Sequence, residues 1–130
     1  MRKLLDWITL PRALLVDAVA SGGMGMMLLA GAGALEGLLG LPEPFLRWVG
    51  ALLLPYAALV AWAGLRASAG AARAIVWANA GWVAASVAVL FTGWLSPTAL
   101  GFAFVLAQAA AVGLFAEMQI TALRRAGSPA

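Results

Sequence analysis

From Ala74 to Ala116 the chain runs for 43 residues without a formal charge. As one α-helix that run would extend about 65 Å at ~1.5 Å per residue, roughly twice the ~30 Å hydrocarbon core of a bilayer. It must therefore double back, and Gly93-Trp94-Leu95-Ser96-Pro97-Thr98 offers the turn. Ser96 is placed to cap a following helix, and Pro97 at its first position gives up an amide hydrogen that has no partner there. Two further uncharged runs of 18 residues, between Asp17 and Glu36 and between Arg47 and Arg66, are each close to one crossing. The pattern predicts an all-α, integral membrane four-helix bundle of up-down-up-down topology, with spans near 13–39, 44–66, 73–95 and 97–124.

Composition closes off the alternatives. Apolar side chains make up 65% of the chain, before its 15 glycines are counted, and charged ones 10%, where a soluble domain carries about 25%. Too little polar surface exists to coat a water-soluble globule. A membrane β-barrel needs alternating segments of roughly ten residues, which are absent. With Cys 0 and His 0, thiolate chemistry and the commonest metal ligand, haem ligand and general base are missing. No metal site, no cofactor and no enzymatic activity are expected, since a lone carboxylate supplies neither a nucleophile with its base nor a metal cage.

The connections carry turn chemistry. Gly40-Leu41-Pro42-Glu43-Pro44 cannot continue a helix, and residues 67–72 form a small-residue link between antiparallel neighbours. Residues 1–12 read as an amphipathic stub lying in the interface with Trp7 among the headgroups, 13–125 as the transmembrane domain and 126–130 as a short tail. The basic start Met1-Arg2-Lys3 is not read as a signal peptide, because Asp6, Pro11, Arg12 and Asp17 interrupt every apolar stretch that could serve as its core. Of the 8 Lys and Arg residues, Arg47 alone falls on one side of this threading, so the positive-inside rule places both termini in the cytoplasm. Trp7, Trp62 and Trp77 then fall near the inner interface and Trp48 and Trp94 near the outer one, leaving Trp82 deeper. Arg66, Arg73, Arg124 and Arg125 are expected to meet anionic lipid headgroups, and this basic excess reports topology rather than nucleic-acid binding.

Polar groups within spans are the functional candidates, since burying them in lipid is costly. Glu117, about 10 Å inside Arg124 by helix rise, is the hardest acid to excuse. Its stripe of Ala110, Gly113, Thr121 and Arg124 suggests a face turned to protein. Asn79 lies at similar depth on the neighbouring span, on a stripe with Trp82 and Ser86, and Asp17 with Ser21 starts span one from the same leaflet. The expectation is a polar vestibule open to the cytoplasm, rimmed by Asp17, Asn79 and Glu117 with Trp82 as its floor. The competing reading is that these groups simply join helices. Gln108 and Gln119, eleven residues apart, share the opposite face of span four. Gln108 is expected to meet Tyr56, beside Pro55, and with Ser86 to form a constriction. Gly33 and Gly37, a GxxxG pair, and Gly113 are candidate helix-packing positions.

The run Ser96-Pro97-Thr98-Ala99-Leu100-Gly101, with Gln108 and Phe115-Ala116-Glu117, resembles a group of small bacterial four-helix inner-membrane proteins, the similarity extending from Asp17-Ala18 through Arg125. The resemblance implies a multi-pass protein of the bacterial inner (cytoplasmic) membrane and transfers no activity to any residue. Two functions remain open. One is transport or binding of a small solute or amphiphile by a homo-oligomer, with Glu117 as the responsive group. The other is an accessory role, packing against a partner or lipid.

Overall fold

The computed structural model describes residues 6–127, and side-chain surroundings for residues 6–125. Four helices account for nearly all of them: α1 (Leu10–Leu39), α2 (Glu43–Arg66), α3 (Ala69–Val89) and α4 (Ala99–Gly127). Each is long and apolar enough to cross a membrane. No strand occurs among the described residues. Of the stub expected over residues 1–12, residues 1–5 lie outside the described part, and α1 already begins at Leu10.

Local chemistry sets the ends. Thr9 caps α1 by accepting the Arg12 amide at 3.4 Å, and Pro11 occupies the first turn, where its missing amide hydrogen costs nothing. Gly40 closes α1 in the left-handed region, φ +68°, its amide donating to the Glu36 carbonyl. Ser68 caps α3 by accepting the Ala71 amide at 3.2 Å. The α3–α4 turn differs from expectation in detail. Helix α3 ends at Val89 rather than near 95, and Gly93 turns the chain at φ +81°. Thr98, and not Ser96, caps α4, its hydroxyl accepting the Gly101 amide at 3.0 Å. The reason is a second bond: the same hydroxyl donates to the Leu38 carbonyl at 2.8 Å while the Thr98 amide donates to Leu39. That fastens the α4 start to the α1 end.

The helices form a ring in chain order with one loose seam. Helix α1 packs along most of α2 and along α4, and α4 packs on α3, whereas α2 and α3 barely touch. The α1–α2 pair closes tightly because Gly25 and Gly50 face each other: a Cβ on Gly50 would lie 2.7 Å from the Gly25 carbonyl oxygen. Gly33 and Gly37, the expected packing pair, are instead exposed on the outer face of α1, and a Cβ built on Gly37 or Gly113 would meet nothing within 4 Å beyond its own helix backbone. The intramolecular contact belongs to the glycines nearer the centre of α1, where the two helices cross.

Residue 8 meets residue 125 at one end, through the Arg125 guanidinium donating to the Ile8 carbonyl at 3.4 Å. Both described ends of the chain thus share a face of the bundle, the terminal end; the 40–42 and 90–98 connections lie at the far end. Two apolar layers fill the interior. One, at the terminal end, includes Leu14, Val60, Ala63, Ala72, Ile75 and Ala122. The other, at the far end, is built from Leu28, Ala32, Leu39, Leu41, Leu46 and Val105. The candidate site lies between them.

Candidate functional site

Only three polar or charged residues are buried among the described residues, Asp17, Asn79 and Gln119, at 1%, 2% and 0% exposure. They come from α1, α3 and α4 and meet at one point. The Asp17 Oδ2 accepts from Asn79 Nδ2 at 2.8 Å and from Gln119 Nε2 at 2.7 Å, and its Oδ1 accepts from the Ser21 hydroxyl at 3.0 Å. The second Asn79 Nδ2 hydrogen reaches Gln119 Oε1 at 3.1 Å, and the Tyr56 hydroxyl, from α2, donates to Asn79 Oδ1 at 2.6 Å. All four helices contribute.

The direction of these bonds is informative. Tyr56 donates to Asn79; Asn79, Gln119 and Ser21 donate to Asp17; every chain of donors ends on the carboxylate. Three donors thus converge on the two oxygens of one buried carboxyl group. No buried side-chain polar atom among the described residues lacks a partner, as a low-dielectric interior requires. Yet Asp17 has no ion pair among the described residues, whose two salt bridges, Arg47–Glu43 and Arg125–Asp6, are both at the surface. Among the described residues only neutral groups bond the carboxyl.

Five of the expected candidates therefore gather in the interior: Asp17, Asn79, Tyr56, Trp82 and Gln108. Their partners differ in part from expectation. Tyr56 bonds Asn79, and Gln108 accepts from Trp82 Nε1 at 2.8 Å while donating to the Val105 carbonyl at 2.9 Å. Ser86 is partly buried one turn beyond Trp82. Glu117 is not at the site. It is exposed, because α4 turns its Gln108–Ala116–Gln119 face inward and residue 117, two positions from Gln119, points about 160° away. Gln119 holds the place that Glu117 was expected to fill. The signal for it is the eleven-residue Gln108–Gln119 spacing, three helical turns, which marks a polar line along one face.

The expected vestibule is also redirected. Leu14, Val60 and Ile75, each no more than 2% exposed, plug the path from the cluster to the terminal end. Open space lies instead along the loose α2–α3 seam, as two cavities. One, of about 220 Å³, is lined by Ser21, Leu53, Tyr56, Asn79, Trp82 and Val112 among others. The second, of about 240 Å³, continues toward the far end between Phe45, Val49, Ala85 and Phe104. Leu53 and Trp82 line both, so Trp82 is the partition between a polar pocket and an apolar one.

The outer surface is apolar, with Trp48, Trp77, Trp94, Leu65 and Phe91 each more than two-thirds exposed. Arg66, Arg73, Arg124 and Arg125 are exposed toward the terminal end, Arg125 also approaching Asp6 at 3.5 Å, and Arg47 is exposed at the far end. Comparison with known proteins finds no matching family model, no similar curated protein and no similar solved structure.

Proposed function

We propose that this chain crosses a bacterial inner membrane four times, with its terminal end in the cytoplasm, and binds a small membrane-dissolved amphiphile in the cleft between α2 and α3. The apolar exterior and the basic residues gathered at the terminal end support the placement. The cleft carries the functional reading. A bundle built only to fill space would close its fourth seam as tightly as the other three. Here one seam stays open over two contiguous cavities, apolar for most of their lining and polar at one end, which is the distribution that small-molecule sites show. An amphiphile would place its chain among Phe45, Val49 and Phe104 and its head near Ser21, Tyr56 and Asn79.

The test is binding of a spin-labelled short-chain amphiphile to the protein in lipid nanodiscs. Ala85→Phe, which fills the apolar cavity from α3, should abolish the immobilised signal without lowering the unfolding temperature. An immobilised signal unchanged by Ala85→Phe would place the amphiphile elsewhere and defeat the proposal.

A second reading, an accessory protein that packs against a partner, is favoured by Gly33, Gly37 and Gly113. Gly33 and Gly37 are exposed, Gly113 is partly buried with open space where a side chain would stand, and Glu117 lies exposed one turn from Gly113. Loss of a co-purifying membrane protein on Gly33→Leu, with amphiphile binding absent, would favour it.

A further inference from the structure

A group that the amphiphile reading leaves unused is the Asp17 carboxyl, whose ionised form would be held by neutral donors. A carboxylate satisfied entirely by neutral donors keeps its full net charge, since hydrogen bonds disperse a charge without cancelling it. In a buried, low-dielectric setting its field reaches neighbouring space almost unscreened. The space it reaches is the cavity that Ser21 and Asn79, both bonded to Asp17, help to line. That cavity is also lined by Tyr56 and Trp82, whose ring faces attract cations and repel anions. Among the described residues no Lys or Arg lines either cavity of the cleft. Charge, aromatic lining and the missing counter-ion all select in the same sense.

From this we propose that the cleft is selective for organic monocations: an ammonium head seated in the pocket of Tyr56, Trp82, Ser21 and Asn79, with an apolar body along the adjoining cavity. Asp17 acts through its field and through the amide and hydroxyl groups it orients, and it does not touch the ligand. The head is a single positive charge, because one carboxylate compensates one cation. This inference rests on the proposed amphiphile site and specifies its ligand's charge.

The experiment compares three probes of nearly equal shape on the full chain in nanodiscs of zwitterionic lipid, corrected for empty nanodiscs. They are benzyltrimethylammonium, its uncharged carbon isostere neopentylbenzene, and phenylmethanesulfonate. The expected order is cation over neutral by about tenfold or more, with the anion not binding. In Asp17→Asn, which keeps the size of the side chain, the advantage of the cation over the neutral probe should disappear, whatever the level at which the neutral probe itself binds. An unchanged helical circular-dichroism spectrum reports that the variant is folded. Should Asp17→Asn fail to fold, the order of the three probes on the unaltered chain decides alone. Equal binding of cation and neutral probe, or a cation preference that survives in Asp17→Asn, would overturn the charge selectivity while leaving the amphiphile site standing. Binding of none of the three would overturn both.

Discussion

Asp17 illustrates how a single residue changes meaning with its neighbours. In the sequence it is an acid that could reach the membrane interface; in the fold it is 1% exposed and accepts three of the five hydrogen bonds in the cluster. Removing one donor leaves a buried carboxyl oxygen short of a partner, which costs about 1–3 kcal/mol, more than the ~0.6 kcal/mol average for polar contacts between membrane helices. Asn79→Leu and Gln119→Leu should each lower stability by about that amount in reversible unfolding from mixed micelles. The double variant should be less destabilised than the sum, because both amides serve the same carboxylate oxygen. Glu117→Gln should change stability by less than about 0.5 kcal/mol, as substitutions of exposed groups outside networks do. A loss at Glu117 as large as that at Gln119 would mean that α4 is rotated from the setting described.

At the scale of the helix, rotation was the least legible quantity. In a soluble protein the polar side of a helix faces water and fixes its angle; here outward-facing and core-facing positions are both apolar, so the hydrophobic pattern carries little angular information. The stripe through Glu117 and the line through Gln108 and Gln119 were the two markers on α4, and they disagree by nearly half a turn. The structure follows the glutamines. Length was far more legible, since runs such as 18–35 and 48–65 have the length of a crossing and Gly40 closes α1 as expected, although α3 stops at Val89 and α4 starts at Ala99, two residues past Pro97. Glycine shows a similar split. Gly33 and Gly37 have the familiar spacing yet face outward, whereas Gly25 and Gly50, on different helices, make the close approach, a pairing that no spacing within one helix reveals. Gly50→Ala should force α1 and α2 apart and destabilise the fold by about 1–3 kcal/mol, as overpacking does. Gly113→Ala, with open space around it, should be neutral or stabilising by up to about 1 kcal/mol through helix propensity. At the start of α4, Thr98→Ala should cost about 1 kcal/mol or more, since it removes both the cap and the tie to Leu38, while Ser96→Ala should cost little. Thermal unfolding followed by circular dichroism distinguishes each pair.

For the whole molecule, the ring of four helices has an asymmetric seam, and the asymmetry has a cause in the sequence. The α1–α2 pair is drawn together by Gly25 and Gly50. The α3–α4 pair is joined by the Trp82–Gln108 bond, and α1–α4 by the Thr98 ties and Asp17–Gln119. Between α2 and α3 only the Tyr56–Asn79 bond bridges the interior. The number of helices and the depth of the polar groups were visible before folding. The open seam was not, because it depends on which pairs pack tightly, a property of side-chain shapes across helices and not of any one segment. What the cleft can bind therefore turns on whether it admits lipid, water or neither.

Trp82 stands at the partition of the cleft, and the other five of the chain's 6 tryptophans are all at least 43% exposed, so they can be exchanged for Phe with little disturbance to the interior. Quenching of the single-Trp82 protein in liposomes is the most direct measurement. Lipids brominated on their acyl chains should quench it strongly and aqueous iodide should not, as a seam open to the bilayer requires. Efficient quenching by iodide would mean a water-filled path, and indifference to both quenchers would mean a closed bundle; either result contradicts the account.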